Sequence, residues 1–265
     1  LDDKILYAFI LTLIAGLSTG IGGFLSFFVN KKNTSILALG LGFSAGVMVY
    51  ISFMEILPQS KHILFDLHGK LGEWLALTAF FVGIGLTAVI DLLIPENINP
   101  HEPHLSELNP SSQILLNKLK RTGIFTAIAI TIHNFPEGIA TFMASLSDIK
   151  WGISIAAAIA IHNIPEGISV ALPIYHATNN RRLAFSYAFL SGLAEPVGAL
   201  VGFFLLRLTF TDLSLGIIFA MVAGIMVYIS FDELLPMARE YSTAHTEILG
   251  LVLGMLIMAV SLQIF

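Results

Sequence analysis

Eight apolar stretches, each near the ~20 residues needed to cross a bilayer, recur along this chain and leave little room for anything else. They lie near 5–29, 36–57, 73–94, 122–146, 151–175, 184–207, 213–236 and 246–264. A segment of that length in hydrocarbon must satisfy its own backbone hydrogen bonds, so helices are expected. Hydrophobic residues make up 56% of the 265 and charged residues 12%, about half the charged share of an average soluble domain. The expected fold is an all-α membrane protein of eight transmembrane helices.

The first stretch has no small-residue cleavage site after it and is expected to stay as a span rather than be removed as a signal peptide. The chain opens on Leu1, so an initiator Met and a few residues are expected to precede it. There is no cysteine, which excludes thiolate metal ligands and disulfides. No Gly-x4-Gly-Lys-Ser/Thr phosphate loop is present, so transport driven by the chain's own ATP hydrolysis is not expected. Nor is a nucleic-acid partner. The lipid bilayer is the expected surrounding, and a homodimer is compatible with the sequence.

Lys31, Lys32, Lys118, Lys120, Arg121, Arg181, Arg182 and Arg239 flank the odd-to-even connections, against Lys4, Lys61, Lys70, Lys150 and Arg207 on the opposite side. The positive-inside rule then predicts both termini outside and the loop 95–121 in the cytoplasm. The absence of large loops favours a bacterial inner membrane. Loop 95–121 carries four prolines and the pair His101 and His104, readable as a metal-sampling element or as a plain solvated connection.

Two internal repeats organise the chain. Residues 127–140 match 156–169 at ten of fourteen positions, and 45–58 match 223–236 at eleven of fourteen. The first relates spans four and five, the second spans two and seven. Each pair crosses the membrane in opposite directions, the sequence mark of inverted-topology repeats with a site at the midplane between them. The expected layout is a single transmembrane domain in a 3+2+3 plan. It comprises a first repeat 1–94, the cytoplasmic loop 95–121, a central pair 122–175 and an inverted repeat 184–265. Glycines at four-residue spacing (Gly16/Gly20, Gly42/Gly46, Gly198/Gly202, Gly250/Gly254) predict close helix contacts.

The central pair holds the chemistry. HNFPEG runs from His133 to Gly138 and HNIPEG from His162 to Gly167. A charged residue at the centre of a span costs about 2.5–3.5 kcal/mol, so the two copies facing lipid would cost on the order of 10 kcal/mol. Such groups persist only if they face each other, water or an ion. His133 and Glu137 share a helix face at i, i+4, as do His162 and Glu166, with Asn134 and Asn163 alongside. Imidazole with carboxylate suits zinc and similar first-row divalent ions, so two facing helices can supply a His2Glu2 site. Pro136 and Pro165 withhold the N–H groups that the carbonyls of Ile132 and Ile161 would receive, predicting kinks beside the ligands.

Glu195, followed by Pro196 in span six, is a candidate for a second metal position near the asparagines. Glu55 and Glu233 are repeat-equivalent acids, readable as one acid near each mouth or as interfacial caps. Met48 is a candidate soft donor. A polar network without metal, a proton relay and a membrane metalloenzyme remain the alternatives. The last lacks its usual His-Glu-x-x-His signature.

These motifs, with SGLAE on span six and a His-containing loop between spans three and four, resemble the ZIP family of divalent metal transporters, and within it a bacterial branch. The resemblance covers nearly the whole length. It implies an eight-helix 3+2+3 bundle with outward termini that moves Zn2+, and often Fe2+, Mn2+, Co2+ or Cd2+, into the cytoplasm. The ion is then the transported substrate, and no cofactor is implied. The resemblance also implies His133, Glu137, His162 and Glu166 as ligands of one site, with Asn134, Asn163 and Glu195 in an adjoining site sharing the glutamates. Met48 falls at a span-two position that is a ligand in some relatives, after a one-residue gap.

Overall fold

The computed structural model describes residues 2–28, 34–93, 112–209, 211–242 and 244–264, and among them there is no strand. The described residues form eight rods. Helix α1 is Asp2–Leu25. Helix α2 runs as Thr34–Ile51, a π-helical turn Ser52–Ile56 and Leu57–His68. Helix α3 is Lys70–Leu93, α4 is Ser112–Ser147 and α5 is Ile149–Thr178. Helix α6 is split into Arg181–Gly192 and Ala194–Thr209. Helix α7 runs as Asp212–Ile229, a second π-helical turn Ser230–Leu234 and Leu235–Glu240, and α8 is Thr246–Ile264. Seven of these rods are long and apolar enough to cross a membrane. The other, α4, has 36 residues and carries the first polar motif. His101 and His104 lie outside the described residues. The end of the segment 95–121 is helical, because α4 begins at Ser112.

The rods sort into two quartets. Helices α1, α4, α5 and α6 pack together, as do α2, α3, α7 and α8, and the quartets meet where α2 crosses α5 and α4 crosses α7. This pattern obeys the internal symmetry. Exchanging α1 with α6, α2 with α7, α3 with α8 and α4 with α5 maps α1–α5 packing onto α6–α4, and α2–α8 packing onto α7–α3. The two π-turns also obey it, since Ser52–Ile56 and Ser230–Leu234 occupy equivalent places in the 45–58 and 223–236 repeat. In the most apolar stretch of α5 and of α7 67% of the residues are buried, against 28% in α3 and α8, so the first two form the centre and the last two the lipid-facing rim.

Glycine sets the spacing. A Cβ on Gly167 would lie 1.9 Å from the Thr19 carbonyl oxygen, and one on Gly22 would lie 1.9 Å from that of Ile164, which locks α1 to α5. The symmetry mates repeat the lock between α4 and α6: Gly138 against the Glu195 oxygen at 2.0 Å and Gly198 against that of Phe135 at 2.1 Å. Both members of the Gly42/Gly46 and Gly250/Gly254 pairs meet backbone across the α2–α8 contact in the same way. Backbone approach this close gives the van der Waals contact on which helix association in lipid depends.

Candidate metal centre

One residue, Asp148, separates α4 from α5, so the two helices form a tight antiparallel hairpin. Its carboxylate caps α5 by accepting from the Trp151 backbone N–H at 2.9 Å. At ~1.5 Å per residue from that turn, His133 and His162 both lie roughly 21–22 Å along their helices, at one depth. Neither Pro136 nor Pro165 ends its helix. Antiparallel packing reverses the order of the two motifs, so each imidazole meets the carboxylate of the other helix as well as its own.

The result is a ring of four. His133 Nε2 lies 3.5 Å from Glu137 and 3.4 Å from Glu166, while His162 Nε2 lies 3.3 Å from Glu137 and 4.0 Å from Glu166. All four residues are buried. Ligand atoms of His133, His162 and Glu166 fall within 4.8 Å of one another, the spread of a metal-binding group. Both ring nitrogens of each histidine and all four carboxylate oxygens lack a hydrogen-bond partner. Orphaned buried polar atoms are rare in folded proteins because each forfeits its hydration, and eight in one spot call for a missing partner such as an ion.

The asparagines are held by their nitrogen ends. Asn134 Nδ2 donates to the Ser191 carbonyl at 3.2 Å, and Asn163 Nδ2 donates to the Ala15 carbonyl at 3.0 Å and to Glu195 Oε1. Backbone carbonyls can only accept, so they fix which way each amide points. Both Asn Oδ1 atoms and Glu195 Oε2 are buried and without a partner. Three further acceptor oxygens are thereby available beside the His/Glu ring. The break in α6 at Leu193 falls just before Glu195, rather than at Pro196, which continues the second segment.

The sequence reading missed the carbonyls of Ala15 and Ser191. The Gly16/Gly20 spacing was their one signal: a Cβ on Gly16 would lie 2.4 Å from the Gly192 oxygen, and this α1–α6 approach delivers both carbonyls to the asparagines. It also missed Ser44, whose hydroxyl donates to the His162 carbonyl at 3.1 Å and ties α2 to the centre. Met48 is fully buried in the apolar core one turn along α2, on the same face as Ser44. Glu55 accepts a hydrogen bond from the Trp151 indole at 2.7 Å.

Fold and site together define an integral membrane protein with a dense, buried set of metal-type donors. A family model described as ZIP Zinc transporter matches residues 95–262. The chain is 57% identical over 267 residues to a protein of Chlorobaculum parvum named Zinc transporter ZupT, covering 100% of both chains. It is 54% identical to the protein of that name in Campylobacter jejuni, covering 99% of this chain and 97% of that one. For the Clostridium perfringens protein of that name the identity is 50%, with the same coverage. The chain therefore belongs to the ZIP family, a family of transporters rather than enzymes.

Proposed function

We propose that this protein carries Zn2+ across the inner membrane into the cytoplasm, with Fe2+, Mn2+, Co2+ and Cd2+ as further substrates. His133, Glu137, His162 and Glu166 hold the ion, and Asn134, Asn163 and Glu195 form the adjoining position. The carrying observation is the spacing of the four. A tetrahedral ion with bonds of ~2.0–2.1 Å separates its ligands by about 3.3–3.4 Å. Three of the four His–Glu distances fall at 3.3–3.5 Å. A proton relay would need these donors and acceptors in hydrogen-bond contact, and they make none, and the relatives named for zinc transport weigh the same way.

Met48 serves as an auxiliary soft donor that approaches from α2. Both termini lie outside and the 95–121 segment inside, a reading that the charge asymmetry supports. The central pair lies between two inverted repeats, and transport proceeds by rocking of one quartet against the other across the α2–α5 and α4–α7 contacts.

Uptake into proteoliposomes tests this reading. Saturable Zn2+ entry that disappears in a Glu137→Ala/Glu166→Ala variant is expected. Zinc entry that survives in the folded double variant would overturn the assignment.

A further inference from the structure

Side-chain hydrogen bonds join the two quartets at three depths of the bundle. Ser44 binds the His162 carbonyl at the depth of the site. Thr126 Oγ1 lies 3.5 Å from Met237 Sδ at the α4–α7 end assigned to the cytoplasm, a weak contact to a thioether. Trp151 Nε1 donates to Glu55 Oε1 at 2.7 Å at the α2–α5 end assigned to the outside. The last is the strongest of these three, because its acceptor is a carboxylate.

The repeats show that this tie has no mate. Glu55 corresponds to Glu233 of α7 in the inverted repeat, so both ends of the bundle carry a carboxylate on a π-turn. The offset that aligns the two HNxPEG motifs places Trp151 opposite Thr122 of α4, which has no indole to give. One carboxylate is clamped to the facing quartet by a ring donor, and its symmetry mate is not. The Trp151 ring is also anchored, standing edge-on to the buried Phe219 of α7 at 5.1 Å. It therefore touches both α2 and α7 of the facing quartet while riding on α5, the helix that carries His162 and Glu166. A π-turn suits such a contact, since it re-aims a side chain without ending its helix.

We infer that the Trp151–Glu55 hydrogen bond is an outer latch: it holds the quartets together at the outer end, and its opening admits the ion to the central site. Opening releases the Glu55 carboxylate, which then faces the arriving cation. The latch rests on the transport reading and orientation proposed above, and two readouts keep their failures apart.

The chain has no cysteine, so Ser52→Cys supplies a single reporter. Ser52 is buried, one turn beyond Met48 along α2, and lies along the helix between Ser44 at the depth of the site and Glu55 of the latch. Its labelling by a membrane-impermeant thiol reagent, added to right-side-out and to inside-out vesicles, reads opening on each face of the membrane. Zinc uptake is measured on the same preparations. Trp151→Phe keeps the ring against Phe219 and removes the donor, so labelling should quicken about tenfold, the factor a hydrogen bond to a charged group supports. Glu55→Ala should do the same and stands in if the first variant fails to fold. Glu55→Gln keeps an acceptor oxygen for the indole but loses the charge, so labelling should fall between wild type and Glu55→Ala. Unchanged labelling in both Trp151→Phe and Glu55→Ala would overturn the latch, whatever the uptake. Quickened labelling supports it, even in a wild type that carries no zinc, a result that would refute the transport reading alone.

Discussion

Replacing Gly138 by alanine tests whether glycine contacts hold the site together. The new Cβ would sit 2.0 Å from the Glu195 carbonyl oxygen and 2.6 Å from the Glu195 Cα, and both are backbone. An ordinary contact needs at least 3.4 Å, so α4 and α6 must separate by about 1.4 Å. That shift stretches the Asn134–Ser191 bond, now 3.2 Å, beyond hydrogen-bonding range, and draws Glu195 away from Asn163. The four His/Glu donors lie on α4 and α5 and move less. Overpacking of this kind costs about 1–3 kcal/mol. Gly85→Ala is the control, because a Cβ there meets nothing within 4 Å, and helix propensity alone should make it neutral or stabilising by up to ~1 kcal/mol. The assay is thermal unfolding in detergent beside zinc uptake. Gly138→Ala is expected to unfold earlier and carry zinc more slowly, with Gly85→Ala like wild type in uptake. Two variants of equal stability with equal uptake would refute the packing argument.

Other outcomes follow from the same geometry. His133→Ala and Glu137→Ala should each fold and insert yet lose uptake, checked by proteoliposome flux beside a folding assay. Zinc affinity, measured by competition with a fluorescent chelator, should fall on acidification from about pH 7.5 to 5.5, because imidazole and carboxylate must be deprotonated to bind a metal. Glu195→Gln keeps an oxygen for Asn163 but removes a charge. It should lower the rate of zinc uptake several-fold without abolishing it, unlike Glu137→Ala. Met48→Leu should reduce Cd2+ uptake more than Mn2+ uptake, because a thioether favours the softer ion.

The sequence carried the eight spans, the inverted repeats and the HNxPEG stripes because each is a periodic or repeated signal. The i, i+4 rule put His133 with Glu137, and the structure adds that antiparallel packing also brings His133 to Glu166 at 3.4 Å. Long-range partners were less legible. No pattern in Ala15 or Ser191 announces that a backbone carbonyl will orient an asparagine 148 or 57 residues away. Helices α4 and α5 continue through Pro136 and Pro165, whereas α6 breaks at Leu193, before its proline. The repeat marked 45–58 and 223–236 as equivalent, but the π-turns within them arise from tertiary packing. So does the capture of Glu55 by Trp151, where the acid had been equally readable as a helix cap.

The account stands or falls on four side chains holding one ion, and X-ray absorption at the zinc edge of the loaded protein reads that directly. The account predicts nitrogen and oxygen ligands at about 2.0–2.1 Å with two imidazoles per zinc, and loss of both imidazoles in His133→Ala/His162→Ala. Imidazole scattering that persists in that variant would place the zinc on other histidines of the chain and contradict the central claim.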